Sequence, residues 1–178
     1  MNYDISAILF GERELQARIQ EIGTELSKIY ADKNPILICI LRGAIVFLAD
    51  LMRYITIPIE IDFMRISSYG ASVKSAGVIT IKKEIATEIK GRHIIIVEDI
   101  VDTGLSLQFL IEHFQKFNPE SIATCVLLKK SQTQLTELKI DYLAFTVENE
   151  FVVGYGLDFN EKYRNLPYIG ILKEEVYK

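Results

Sequence analysis

The stretch from Ile94 to Ser106, IIIVEDIVDTGLS, constrains this chain more than any other. It opens with four β-branched residues, Ile94, Ile95, Ile96 and Val97, and such an unbroken apolar run reads as a strand buried on both faces. The run meets two adjacent carboxylates, Glu98 and Asp99, and then enters a turn holding Asp102, Thr103, Gly104 and Ser106. Leu107, Leu110, Ile111, Phe114 and Phe117 follow at spacings of three and four, which predicts a helix leaving the turn. Free N–H groups at a helix start, beside the Thr103 and Ser106 hydroxyls, suit a phosphate, because the helix dipole places about half a positive charge there. Carboxylates only accept hydrogen bonds, so Glu98 and Asp99 suit sugar hydroxyls or a metal ion. A ligand with a phosphate and a vicinal diol, such as a ribose 5-phosphate, matches both halves. A capped helix after an ordinary strand, with solvated acids between, is the alternative that the turn alone leaves open.

Around this stretch, helical and strand patterns alternate. Leu15, Ile19, Ile22, Leu26 and Ile29 predict an amphipathic helix over 11–30, broken by Asp32–Pro35 because Pro35 disfavours helix at Asn34. ILICIL (36–41) reads as a central strand that ends at Arg42–Gly43, and an apolar helix follows from Ala44 to Tyr54. Residues 56–63 alternate as a strand with one wetter face, and Pro58 argues for an edge or strand-start position. SSYGASVKSAG (67–77) has the composition of a surface loop. Asn118–Pro119 ends the helix after the central turn, and SIATCVLL (121–128) reads as the next strand. Lys129 and Lys130 stand at that strand's C-terminal end, where α/β sheets bind ligands. Tyr142–Val147 and Phe151–Val153 are short strand candidates before a turn, Gly154–Tyr155–Gly156, and Asp158. The expectation is one α/β domain with a mainly parallel sheet, the late strand-rich stretch forming a small hood over the site.

Composition excludes several functions. The 178 residues carry a net charge of −4, and no run of Lys and Arg exceeds two, which weighs against a general nucleic-acid or membrane-surface binder. Cys39 and Cys125 sit in apolar runs and read as small core residues, so no disulfide is expected and a reducing, cytoplasmic setting fits. His93 and His113 are the only histidines and neither stands at metal-ligand spacing from a cysteine, so zinc is not expected. No signal peptide is visible, and the longest apolar run, Pro35–Leu41, is too short to span a bilayer.

The word EDIVDTG (98–104) after an apolar strand resembles the signature of phosphoribosyltransferases that use phosphoribosyl pyrophosphate. LRG at 41–43, DFMRISSYG at 62–70, LLKK at 127–130 and FVVGYGLDFNEKYRNLPYIG at 151–170 resemble the hypoxanthine-guanine phosphoribosyltransferases, a likeness running from about Pro35 to Ile171. The resemblance implies the type I phosphoribosyltransferase fold for residues 1–178, with the hood drawn from the N-terminal segment and residues about 140–178. It implies transfer of a 5-phosphoribosyl group to hypoxanthine or guanine, giving IMP or GMP and pyrophosphate, with Mg²⁺ as cofactor. By the same resemblance Glu98 and Asp99 hold the ribose hydroxyls and a Mg²⁺, Asp158 serves a second Mg²⁺, and Asp102 is the acid or base at purine N7. Thr103, Gly104, Leu105 and Ser106 fall in the 5′-phosphate cradle, and Leu41, Arg42, Gly43 and Arg164 at the pyrophosphate. The loop at 41–43 often carries a cis peptide in that family. Lys130 selects an oxo group at C6, with Lys129 as the alternative, while Phe151 stacks on the base, Val152 reads its edge through the backbone, and Asp158 lies beside the purine. Ser68 and Tyr69 begin a lid. Many relatives carry Thr at Ser106 and Lys at Arg42. Dimers or tetramers are usual in the family, with no nucleic acid or membrane partner. A non-catalytic regulator on the same fold would want a DNA-binding segment or basic face, and a receiver domain would carry its acidic pair after the first strand; this chain has neither pattern.

Overall fold

The computed structural model describes residues 2–69, 78–133 and 138–178. In chain order these form β1 (Ile5–Phe10), α1 (Glu12–Ile29), β2 (Ile36–Leu41), α2 (Ile45–Tyr54), β3 (Glu60–Tyr69), β4 (Val78–Lys83) and β5 (His93–Val101). There follow α3 (Leu105–Gln115), β6 (Ser121–Lys130), β7 (Tyr142–Val147), β8 (Val152–Val153), β9 (Ile169–Leu172) and a single C-terminal turn, α4 (Glu174–Tyr177). Six strands make one sheet in the order β4-β3-β2-β5-β6-β7, parallel except for β4, and β1-β9-β8 make a smaller antiparallel sheet.

The apolar strands are continuous in sequence because each face of the large sheet is covered. Odd-numbered residues Leu37, Cys39, Ile95, Val97, Cys125 and Leu127 pack with Leu15, Ile19 and Ile22 of α1 and Phe47, Leu48 and Leu51 of α2. Even-numbered residues Ile36, Ile38, Ile40, Ile94, Ile96 and Val126 pack on the other side with Leu107, Leu110 and Phe114 of α3. Full burial of an Ile, Leu or Phe contributes roughly 1.5–3 kcal/mol, so these two layers dominate the fold's stability. Cys39 and Cys125 are buried free thiols, as expected. Burial, and then the Glu98 and Asp99 charges, push Cys39 up to about 12, so it stays protonated beneath the strand ends. Among the described residues no helix is long and apolar enough to cross a membrane.

Several expectations change. The strand expected at 56–63 starts at Glu60 and continues to Tyr69, so Pro58 precedes it and Ser67, Ser68 and Tyr69 leave the expected loop. Antiparallel pairing to β4 causes this: Ser67 lies opposite Thr80, Ser68 opposite Ile79 and Tyr69 opposite Val78. β4, with Lys82 and Lys83, is the sheet edge, which leaves β3 internal. The rest of the expected lid, 70–77, lies outside the described residues. β7 was expected in the hood, but it extends the main sheet, because Cys125 pairs with Tyr142 and Lys130 with Val147 in parallel. The hood sheet therefore begins after β7 and draws its strands from 5–10, 152–153 and 169–172.

Asp62 ties the segment after β4 to β3. Its Oδ2 accepts from the Ala86 and Thr87 N–H groups at 2.8 and 2.7 Å, and its Oδ1 from the Phe63 N–H at 2.7 Å. Burial pushes this carboxyl up, but the backbone donors of Thr87, Phe63 and Ala86 together hold it below the usual range. A depressed carboxyl contributes stability that is present above its unfolded value and lost as pH falls through the folded one. Asp62→Asn turns an NH₂ towards these donors and is expected to cost about 1–3 kcal/mol in denaturant unfolding at neutral pH, a deficit that shrinks in acid. An unchanged midpoint would mean that the three bonds add nothing net.

Candidate active site

After β2 the chain crosses to β3 on one side, and β5 then takes the other side of β2. The strand order reverses between β2 and β5, and beyond their C-terminal ends lies the crevice where such sheets bind ligands. Register brings the loop after β2, the end of β5 and the end of β6 together there, since Cys39 pairs with Val97 and Val101 with Lys129.

Glu98 and Asp99 lie within β5, which runs on to Val101 because β6 continues to pair with it. Both carboxylates line the cavity at the end of β2, and their side chains lie within reach of each other. Glu98 lines a cavity of about 90 Å³ with Asp102, Thr103, Gly104, Ser106 and Leu107 at the start of α3. Asp99 turns to the loop after β2, so close that a Cβ built on Gly43 would stand 1.5 Å from Asp99 Oδ2. A second cavity, about 180 Å³, joins Leu41, Arg42, Gly43 and Asp99 to Ile40 and Ile66, and shares Glu98, Ile100 and Ser106 with the first. Burial, and then the Asp99 charge, push Glu98 well above the usual carboxylate range, and burial raises Asp99 as well. Two adjacent buried acids of this kind favour a cation or hydroxyl donors beside them. The Leu41–Arg42 peptide is cis.

Gly104, in the left-handed region at φ 90°, is the N-cap of α3, and the Leu105 N–H donates to the Thr103 hydroxyl at 3.4 Å. That removes the capping alternative for Asp102. Its Oδ2 instead lies 3.3 Å from Lys130 Nζ, with the Asp102 side chain 64% exposed and that of Lys130 17% exposed. Lys130 also donates to Asn149 Oδ1 at 3.4 Å. These contacts to Asp102 and Asn149 are made by Lys130, the last residue of β6. Leu105 is exposed at the first position of α3, and Ser106 after it lines both cavities.

The hood supplies the remaining groups. Arg164 Nη2 reaches Asp158 Oδ1 at 2.7 Å, and Nη1 donates to the Gly156 carbonyl at 2.8 Å. Arg164 Nε is buried without a partner among the described residues, a donor that an anionic oxygen would satisfy. Glu161 Oε2 bridges Arg42 Nη1 at 2.7 Å and Arg164 Nη2 at 3.3 Å, bringing the two expected pyrophosphate-binding arginines to one point. Asp158 Oδ2 accepts from the Glu161 N–H at 2.9 Å. The Phe151 ring stacks on Tyr177 at 4.8 Å and meets Phe159 edge-on at 5.5 Å, while Val152 is buried and pairs with Ile171. Ser68 and Tyr69 stand at the end of β3. Sequence reading missed Glu161 and Asn149. Glu161 carries a signal in its spacing of three from Arg164, whereas nothing local marks Asn149.

A mainly parallel sheet with an acidic strand end, a helix N-terminus beside it and a hood arginine over it suits a ligand that carries both phosphate and hydroxyl groups. The model of the phosphoribosyl transferase domain matches residues 13–160. The hypoxanthine-guanine phosphoribosyltransferase of Streptococcus pneumoniae is 49% identical over 174 residues, covering 98% of this chain and 97% of that protein. The protein of the same name from Bacillus subtilis is 46% identical over 178 residues, covering 100% and 99%. Among solved structures, a hypoxanthine phosphoribosyltransferase from Staphylococcus aureus superposes with a TM-score of 0.95 at 38% identity, covering 100% of this chain and 97% of that one. The chain belongs to the hypoxanthine-guanine phosphoribosyltransferase family.

Proposed function

We propose that this chain transfers the 5-phosphoribosyl group of phosphoribosyl pyrophosphate to hypoxanthine and guanine, giving IMP or GMP and pyrophosphate. One observation carries the assignment of roles: Glu98 and Asp102 line one cavity at the α3 N-terminus, with Asp99 in the adjoining cavity and Lys130 ion-paired to Asp102. The α3 N–H groups with Thr103 and Ser106 hold the 5′-phosphate, and Glu98 and Asp99 accept from the ribose hydroxyls. As the C1′–oxygen bond breaks, its electron pair leaves with pyrophosphate, and Arg42 and Arg164 meet that charge. Purine N9 forms the new bond to C1′, and Asp102 takes the proton from N7. Phe151 stacks on the base, the Val152 backbone reads its edge, and Ser68 and Tyr69 begin the lid.

Magnesium fits this donor set. Mg²⁺ is usually held by one or two carboxylates plus ligand oxygens. Glu98, Asp99 and, for a second ion, Asp158 offer such oxygens, and among the described residues no cluster of three metal-ligating side chains forms a closed cage. When bound, it supplies charge neutralisation on the leaving pyrophosphate. A dimeric or tetrameric assembly and a cytoplasmic setting belong to the same proposal; the buried free cysteines support the latter.

The test is nucleotide formation from each base with phosphoribosyl pyrophosphate, with and without Mg²⁺. IMP and GMP formed only with Mg²⁺ are the expected products, with xanthine and adenine run beside them. Binding of phosphoribosyl pyrophosphate with no product from any oxopurine would make the chain a sensor rather than an enzyme.

Base choice is assigned to Lys130, whose ammonium has donors and no acceptor, whereas adenine presents a donor at C6. Lys130→Gln, able to donate and accept, is expected to narrow the kcat/KM ratio of hypoxanthine over adenine by about tenfold, from roughly 1–3 kcal/mol for an unsatisfied buried polar pair. Lys129→Gln is the control. A change confined to the Lys129 variant would transfer the role to that residue.

A further inference from the structure

Behind the hood turn lies a partly buried polar cluster that the proposed chemistry does not use. Tyr155, 3% exposed, stands between Gly154 and Gly156, and its hydroxyl donates to Asp50 Oδ2. Asp50 lies on α2, the helix that begins where the 41–43 loop ends. Gln16 of α1 donates to the same Asp50 oxygen at 2.5 Å and to the Tyr155 hydroxyl at 3.3 Å, and accepts from the Tyr54 hydroxyl at 3.0 Å. Burial, and then Asp50, push the Tyr155 phenol up, so it remains a donor. On its other side the turn is held by backbone: the Tyr155 N–H donates to the Leu166 carbonyl and the Gly156 N–H to the Arg164 carbonyl, each at 2.9 Å. The turn also presses on the loop after β2, since a Cβ built on Gly156 would lie 2.1 Å from the Gly43 carbonyl oxygen.

We propose that Tyr155 and Asp50 are a positioning pair: their partly buried bond fixes the 154–156 turn to α2, and through α2 to the 41–43 loop, and so sets the distance from Arg42 to Arg164 and Asp158. A further side-chain link from the 41–43 loop to the hood, Arg42 to Glu161, is half-exposed or more at both partners, and such pairs contribute little. Neither Tyr155 nor Asp50 touches a reacting atom; they act through the two arginines. The inference rests on the pyrophosphate role proposed for that loop and for Arg164.

Tyr155→Phe removes one hydroxyl and keeps the ring. It is expected to raise KM for phosphoribosyl pyrophosphate about tenfold, the scale of a lost hydrogen bond to a charged group, with KM for hypoxanthine within about twofold. Asp50→Ala should do the same. Asp50→Asn still accepts from the phenol, with Gln16 free to turn its amide, and should restore most of the wild-type KM. The double variant Tyr155→Phe/Asp50→Ala should be no worse than the worse single one, because both remove the same bond. An unchanged KM for phosphoribosyl pyrophosphate in Tyr155→Phe overturns the inference. So does a joint rise in both KM values, the mark of a merely structural role, or addition of the single effects in the double variant. If Tyr155→Phe does not fold, the comparison of Asp50→Asn with Asp50→Ala decides, and equal KM values overturn the pair. Wild-type protein without activity would instead sink the transfer reading.

Discussion

Asp102→Asn is expected to lower kcat by about 10²–10⁴-fold, the range for losing a positioned proton-transfer group, while phosphoribosyl pyrophosphate still binds. The substitution is clean because Asp102 does little for the fold. Its side chain is mostly exposed, and the α3 N-cap is Gly104. Its ion pair with Lys130 lies partly in solvent, where such pairs contribute about 0–1 kcal/mol. The melting temperature should therefore stay close to wild type, and a large loss in single-turnover rate reads as chemistry. A kcat within about twofold of wild type would leave Asp102 as a partner of Lys130 and nothing more.

Gly43→Ala should be nearly as damaging, by a different route. The new methyl would fall on the Asp99 carboxylate, at 1.5 Å from Oδ2 and 2.6 Å from Cγ. Asp99 is short and packed at the end of β5, so either it rotates away from the crevice or the 41–43 loop lifts off the strand. Each displaces a group by an ångström or more, and a misplacement of that size costs on the order of 10²-fold. The expected result is a fall of about 10²-fold in kcat/KM for phosphoribosyl pyrophosphate. Gly11→Ala is the matched control, because nothing lies within 4 Å of a Cβ built there. Activity of Gly43→Ala within twofold of the control would show that the close approach is dispensable.

The strands at 36–41, 94–97 and 121–128 are legible in sequence because burial on both faces leaves continuous apolar runs. β4 is harder to read: its alternating Ile79 and Ile81 follow a polar stretch, and only its pairing with β3 draws Ser67 to Tyr69 into a strand. β7 is visible as a strand, but its sheet is not, since local pattern does not distinguish a parallel edge strand from a hood strand. In the site, the acidic turn and the lysine pair are legible from strand-end chemistry. That β5 runs on past Glu98 and Asp99 to Val101 depends on its pairing with β6. The Tyr155–Asp50 bond joins residues 105 apart in sequence, and no local periodicity announces it.

The pairing of β1 with β9 has a consequence for how the molecule is made. Ile5 lies opposite Leu172 and Phe10 opposite Ile169, so β1 finds its partner only after the whole large sheet has been translated. At ribosomal speeds of ~5–20 residues per second, β1 waits on the order of ten seconds with its edge unpaired. The six strands of the large sheet, from Ile36 to Val147, are all translated within that interval. The acidic crevice can thus form on a nascent chain before Arg164 and the hood strands β8 and β9 have been synthesised.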